Sequence, residues 1–214
     1  MSTIRLTKAF PSYLDKDKVN SSELWNKDIL FSQGEMIHII APSGSGKTSL
    51  LHFLYGIRKD YEGSIRFNDM ELKAEDADKI AAYRQKNVSC IFQDLKLFPH
   101  HTAFENIDVK RVLEPFHAKE KINEMAAKLG VEKKLGQTIN TCSYGEQQRI
   151  AIIRALMQPF DFLLLDEPFS HLDENNREIA MQMMNAEANI RNASIVLADL
   201  KEITYFPYTR KINL

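Results

Sequence analysis

No apolar run in the 214-residue chain approaches the roughly 18 residues that a membrane-crossing helix needs. Nor does a basic start followed by an apolar core open it, since the first residues read Met1-Ser2-Thr3-Ile4-Arg5-Leu6. The expectation is a protein of the cytoplasm. Cysteine is scarce: Cys90 and Cys142 lie far apart with no Cys/His cluster beside them. That excludes a disulfide framework and a structural zinc site, and leaves two core thiols. An excess of either charge is also missing, because 28 Lys and Arg face 29 Asp and Glu. A basic footprint for nucleic acid is therefore not expected, and any charged ligand must be met by a local site. Internal repeats and low-complexity tracts are absent too.

With 44% hydrophobic residues, the chain is long enough to bury a sizeable core and short enough for one composite domain. The polar run Asp15 to Ser22 reads as a surface loop between two early strands. Glu35 to Ile40 is a compact apolar strand after the turn residue Gly34. Gly63 to Asp69 alternates as an antiparallel strand does, and Val88 to Phe92 reads as a buried one. From Asp94 to about Leu156 the pattern is mainly helical, including Ala118 to Leu129 and Glu146 to Met157. After Pro159 come the continuous apolar strands Phe162 to Leu165 and Ser194 to Leu197, with a helix from Glu174 to about Ile190 between them. Such runs fit a parallel sheet covered on both faces.

The strongest local signal follows the strand at Ile40. Ala41-Pro42-Ser43-Gly44-Ser45-Gly46-Lys47-Thr48 leads into Ser49 and an apolar helix, the strand, turn and helix order that a phosphate-binding loop requires. Glycines let successive N–H groups face an anion while the helix presents its positive end. The cradle is Ser43, Gly44, Ser45 and Gly46, followed by Lys47, Thr48 and Ser49. Lys47 would reach the β- and γ-phosphates of a nucleoside triphosphate, and the Thr48 hydroxyl would bind Mg2+. Ala41 stands where the pattern has its first glycine.

The second signal is Asp166-Glu167-Pro168 at the end of the strand Phe162 to Leu165. A carboxylate at the C-terminal end of a buried strand beside the phosphate loop holds Mg2+, which is the expectation for Asp166. Glu167 then faces the same cleft as the base that orients the attacking water.

Between these signals lies Thr141-Cys142-Ser143-Tyr144-Gly145-Glu146-Gln147-Gln148-Arg149, running into an alanine-containing helix. This segment resembles the signature of the ATP-binding cassette (ABC) family, with Cys142 in place of a leucine and Tyr144 in place of the first glycine. In that family the signature of one subunit caps the γ-phosphate bound by the other. The resemblance assigns this role to Ser143, Gly145 and Glu146. A serine hydroxyl and a glycine N–H at a helix start suit an anion.

Other pieces follow in the family's order. Gln93 corresponds to the glutamine that joins Mg2+ and the attacking water to the helical subdomain. Ser170-His171-Leu172-Asp173 corresponds to the loop that communicates across the dimer through Asp173, with His171 where alanine is usual. Phe10 or Tyr13 corresponds to the aromatic that stacks on adenine. The clearest departure is Ala198, which precedes Asp199 where the family carries a switch histidine. Of this chain's histidines only His171 lies near the right chemistry.

The resemblance implies an α/β phosphate-loop NTPase: a mainly parallel sheet, an N-terminal antiparallel β subdomain and an inserted helical subdomain. One ABC ATPase domain then spans 1–214, with the core in 1–93 and 157–214 and the helical signature subdomain in 94–156. It further implies an ATPase that binds ATP and Mg2+ and pairs as a homodimer or with another ABC ATPase. Its expected place is the cytoplasmic face of the membrane, driving a separate integral permease, with no nucleic-acid partner. Leu95, Leu97, Phe98 and Phe104 line the groove where that permease docks. The chain ends soon after its last expected strand, which matches the compact lipoprotein-release, macrolide-export and cell-division type and leaves no room for a C-terminal regulatory domain. Ala41, Tyr144 and Ala198 together raise an alternative, a regulatory cassette that binds ATP with little turnover.

Overall fold

The computed structural model describes residues 1–214. Nine strands fall into two sheets. The first contains β1 (Thr3–Pro11), β2 (Asp28–Ser32), β4 (Tyr61–Phe67) and β5 (Met70–Glu71), in the order β2-β1-β4-β5 with antiparallel pairing. The second contains β3 (Met36–Ile40), β6 (Val88–Ile91), β7 (Phe162–Asp166), β8 (Ser194–Asp199) and β9 (Arg210–Asn213), in the order β6-β7-β8-β3-β9 with parallel pairing throughout.

The apolar runs of the parallel sheet are continuous because neighbouring side chains enter different cores. Phe162 and Leu164 join one apolar cluster with Val196, Ile37 and Ile39, while Leu163 and Leu165 join another with Ile195 and Leu197. The first face is covered by α2 (Lys47–Leu54) and by the antiparallel sheet through Ile4, Leu6, Phe31 and Ile65. The second is covered by α6 (Tyr144–Leu156) and α7 (Glu174–Arg191). Burial on both sides removes the polar alternation a one-faced sheet would show.

Residues 94–156 carry α4 (Ala103–Leu113), α5 (Glu120–Lys128) and α6, and α4 packs along α6. Thr102 and Ser143 start α4 and α6 with reciprocal caps, each side chain accepting from the backbone of a glutamate that returns the bond. A further helix, α3 (Ala77–Lys86), starts at Asp76 and lays Ile80 and Tyr83 against the α2 side.

The run read as a surface loop, Asp15 to Ser22, contains a short helix, α1 (Lys16–Ser21). Only Val19 in it is buried, so the segment has no apolar stripe to reveal the helix. Cys90 and Cys142 are both buried and unpaired. No helix is long and apolar enough to cross a membrane.

Candidate nucleotide site

The chain leaves β3 through Ala41, whose N–H donates to the Asp199 carbonyl at 2.9 Å, extending the strand pairing by one residue. Ala41 is fully buried and its φ is not positive, so its methyl adds core contact where a glycine would add none. The left-handed positions come later, at Gly44 (φ 75°) and Gly46 (φ 94°). Gly46 is the residue before α2, and its conformation turns the chain so that the helix's free N–H groups face the loop.

Two side chains hold the loop from behind. Trp25, the chain's one tryptophan, is fully buried and donates its indole N–H to the Ser45 carbonyl at 2.9 Å. A β-carbon on Gly46 would lie 3.2 Å from the Trp25 ring, so the indole also fixes the room available to the loop. Lys18, on α1, donates to the Gly44 carbonyl at 3.0 Å. Neither residue carries a local sequence signal, because each acts on a segment some 20 residues away.

In front of the loop is a cleft of about 410 Å³ lined by Tyr13, Ser43, Gly44, Gly46, Lys47, Thr48, Ser49, Gln93 and Glu167, with Pro42 and Leu200. An adjoining cleft of about 350 Å³ is lined by Thr48, His52, Gln93, Asp94, Tyr144 and Asp166. Thr48 and Gln93 border both. Of the two candidate aromatics, Tyr13 borders the first cleft, bonds through its hydroxyl to Ser49 and lies under the Arg58 guanidinium, 5.1 Å from its ring centre. Phe10 instead packs on the apolar core beneath.

Glu167 has φ 46°, a conformation a non-glycine residue adopts at a cost of about 1–3 kcal/mol, and one seen where function sets the backbone. Its N–H donates to the Ala198 carbonyl, and its carbonyl accepts weakly from Gln148 at 3.5 Å. So placed, its carboxylate forms an ion pair with Lys47 inside the cleft. Burial pulls the Lys47 ammonium below the usual lysine range, opposed by the Asp166 and Asp199 carboxylates.

Asp166, one residue earlier, is 1% exposed, and neither carboxylate oxygen has a hydrogen-bond partner. Burial pushes its carboxyl up from the ordinary aspartate value, with the Thr48 hydroxyl and the Lys47 charge acting the other way. Buried polar atoms are normally satisfied, and the oxygen donors of Asp166, Thr48 and Gln93 around one cleft are the hard, oxygen-only set that Mg2+ takes.

The signature residues stand apart from these clefts, apart from Tyr144. Ser143 caps α6, accepting from the Glu146 N–H at 3.4 Å, while the Glu146 carboxylate accepts from the Ser143 N–H at 2.8 Å and pairs with Lys134. Asp173 is likewise spent on a cap, accepting from the Asn176 N–H at the start of α7. Gly145 is required by close approach: a β-carbon there would come within 3.0 Å of the His171 carbonyl oxygen. Ala198 pairs with Asp166 across β7 and β8 and is fully buried. His171 does not line the nucleotide cleft of its own chain; its ring meets Ser170 and Tyr144.

Arg154, also unmarked in the sequence, holds the turn after Gln93. Leu95 and Lys96 are consecutive left-handed residues, and the buried guanidinium donates to their carbonyls at 2.5 and 2.7 Å. Burial lowers its pKa to about 10.

A parallel sheet with a glycine-rich anion loop at one strand's end, two successive acidic residues at the end of a neighbouring strand and a capped signature helix defines a cassette-type phosphate-loop NTPase. The chain belongs to the ABC transporter family, whose model matches residues 25–170. It is 32% identical to the lipoprotein-releasing system ATP-binding protein LolD of Buchnera aphidicola over 212 residues, 97% of this chain and 91% of that one. It is 35% identical to LolD of Idiomarina loihiensis over 163 residues, 74% of this chain and 72% of that one. Similarity to the macrolide export ATP-binding/permease protein MacB of Nitrosomonas europaea, 30% identical, covers 87% of this chain but 29% of the longer relative. Among solved structures, the dimeric ABC transporter cassette MJ0796 superposes with a TM-score of 0.85 at 25% identity, covering 99% of this chain and 94% of that one. The compact type read from the sequence is the type these relatives represent.

Proposed function

We propose that this cassette hydrolyses ATP, works as a dimer and drives a separate membrane permease. The observation that carries this reading is the Lys47 to Glu167 ion pair within a cleft bordered by the phosphate loop. Lys47 is a buried cation held at the place of the terminal phosphates, and Glu167 is the anion occupying it. When ATP enters, the γ-phosphate offers Lys47 a stronger anionic partner, which releases the Glu167 carboxylate toward the water beyond. The freed carboxylate accepts a proton as the water oxygen attacks phosphorus in line and the bond to the β-phosphate oxygen breaks.

Asp166, Thr48 and Gln93 would hold Mg2+, which supplies charge neutralisation at the phosphates. The loop amides from Ser43 to Ser49 bind the phosphates, and Tyr13 rather than Phe10 offers the adenine a ring face. Ser143 and Gly145 serve the nucleotide of the opposite subunit; the MJ0796 cassette in a post-hydrolysis state with ADP and Pi is dimeric, which supports this arrangement. Glu146 and Asp173 act through caps that keep α6 and α7 in register. The core in 1–93 and 157–214 and the helical part in 94–156 form one catalytic unit. The ATP-binding/permease name of the relative MacB supports a permease partner, and this cassette would sit against it at the cytoplasmic face of the membrane. In the docking groove, Phe98 is 51% exposed, whereas Leu95 is buried and Leu97 and Phe104 are partly packed on the core.

The regulatory alternative draws on Ala198. Glu167 weighs against it, because a cassette that only binds ATP has no need of a carboxylate at a strained backbone position. Glu167→Gln should lower ATP turnover about a hundredfold or more, the loss of a general base, while the protein still binds ATP and accumulates as a dimer in size-exclusion chromatography. Turnover of the parent protein no higher than that of Glu167→Gln and no higher than background, measured with the permease present, would overturn the hydrolytic reading and leave the regulatory one.

A further inference from the structure

Two of the chain's departures from the family pattern, Tyr144 in place of a glycine and His171 in place of an alanine, touch each other. Their ring centroids lie 4.2 Å apart with the planes inclined at 55°. The Tyr144 hydroxyl then reaches past the ring to donate to the Gln93 carbonyl at 3.0 Å. Beside this contact the His171 N–H donates to Gln148 Oε1 at 3.1 Å, and Gln148 Nε2 faces the Glu167 carbonyl. Gly145 leaves just enough room for the His171 carbonyl to approach α6. The first turns of α6 are thus fastened to both loops whose side chains flank the reacting γ-phosphate: the one starting at Gln93 and the one running from Glu167 to His171.

We infer that Tyr144 and His171 form a clasp within one subunit that positions Gln93 and Glu167 for hydrolysis, which makes them positioning residues. The inference rests on the hydrolytic reading given above. A glycine at 144 could make neither contact, and an alanine at 171 would leave the tyrosine ring unpaired. The clasp also explains how an aromatic fits at this position: the side chain turns inward onto its own subunit, closing one side of the cleft lined by Thr48, Gln93 and Asp166. The buried Ala198, the residue paired with Asp166 across β7 and β8, offers no polar group at its own position, so more of the positioning falls to the clasp.

Tyr144 and His171 do not themselves line the phosphate-loop cleft, and the groups they hold position the water rather than grip the phosphates, so loss of the clasp should change kcat and spare KM. Tyr144→Phe keeps the ring and removes the hydrogen bond; turnover should fall about three- to tenfold, with KM for ATP within about twofold and an unchanged melting temperature. Tyr144→Gly should lower turnover at least as far. The double variant Tyr144→Phe with His171→Ala should lose less than the product of the single losses, because the His171 ring holds the tyrosine whose hydroxyl bonds Gln93 and the two variants interrupt one chain of contacts.

A second measurement needs no catalysis: hydrogen exchange of the nucleotide-free protein. Tyr144→Phe should speed exchange at residues 93–98 and 169–173 and leave α5 unchanged. Unchanged exchange in those loops, a Tyr144→Gly variant that turns over faster, or fully multiplicative losses would each overturn the clasp. Quenching or enhancement of the Trp25 fluorescence by ATP separates the two levels. Should ATP bind with no turnover in any variant, the hydrolytic reading fails and the exchange result alone decides the clasp.

Discussion

The phosphate loop and the signature helix each carry a larger residue where the family has glycine, and they accommodate it by different means. At the loop, Ala41 sits on ordinary backbone and sends its methyl into the core, so the position never used a glycine's freedom. At α6, Tyr144 is 41% exposed on a helical backbone, and its side chain crosses to Gln93 and His171. A glycine in a pattern can mark a left-handed φ, a close approach or neither. Gly46 is the first kind, Gly145 the second, and positions 41 and 144 are the third. Residue identity alone does not separate these cases, whereas φ and the space around a β-carbon do.

The comparison breaks most sharply at Gly46. Gly46→Ala forces an alanine to φ 94° with its β-carbon 3.2 Å from the Trp25 ring. The left-handed strain alone costs about 1–2 kcal/mol, and relief means moving the amides that face the phosphates. ATP affinity, followed by Trp25 fluorescence, should fall at least about tenfold. Ala41→Gly, in contrast, should leave affinity within about twofold while costing about 1–2 kcal/mol of stability in a denaturant melt, from one lost buried methyl and the added chain entropy. Similar affinities for the two variants would mean that the loop is not held in its left-handed form by Gly46.

A smaller effect is expected at Ala198, where the sequence pattern calls for a histidine. The residue is fully buried beside Asp166 and belongs to the same cluster as Ile39 and Val196. Ala198→His inserts an imidazole into packed space, at a cost of about 1–3 kcal/mol, and turnover should not rise. A faster enzyme with an unchanged melt would show that position 198 opens onto the nucleotide and that the chain simply lacks a contact there.

What was legible in the sequence follows the same division. The phosphate loop, Asp166 and Glu167 could be read because their signals are local: a strand of apolar residues ending in a glycine-rich turn or in carboxylates. Both cores were foreshadowed by the continuous runs at Phe162 to Leu165 and Ser194 to Leu197. The supports were not legible. Trp25 on Ser45, Lys18 on Gly44 and Arg154 on the turn at Leu95 and Lys96 are pairings between distant segments, and a lone tryptophan or arginine carries no spacing. The helix α1 was missed because only one of its residues is buried, and β9 because an edge strand of four residues with one buried side chain has almost no pattern. Which of Phe10 and Tyr13 borders the cleft also waited on three dimensions, and it is the tyrosine that does.

The two histidines that flank these regions extend the contrast to pH. His171 is exposed, paired with Ser170 and Tyr144, whereas His38 is fully buried on β3 just before the phosphate loop, with neither ring nitrogen bonded. Phe206 and Tyr208 pack edge-on or tilted against its ring. Burial lowers its pKa, opposed by the Asp199 and Glu202 carboxylates and aided by Lys211. The unfolded chain, with a histidine pKa of about 6.5, therefore binds a proton that the folded state resists. Stability from this group is complete above that value and is lost as pH falls below it toward the lowered folded pKa. His52, on α2 and lowered by burial as well, adds to the same trend. His38→Leu removes the fully buried one of these two bases, so the denaturant midpoint should drop less between about pH 7.5 and pH 5.5 than it does in the parent protein. Equal drops in the parent and in His38→Leu would show that the buried ring takes up its proton without cost, and the contrast between the two histidines would then lie in position alone.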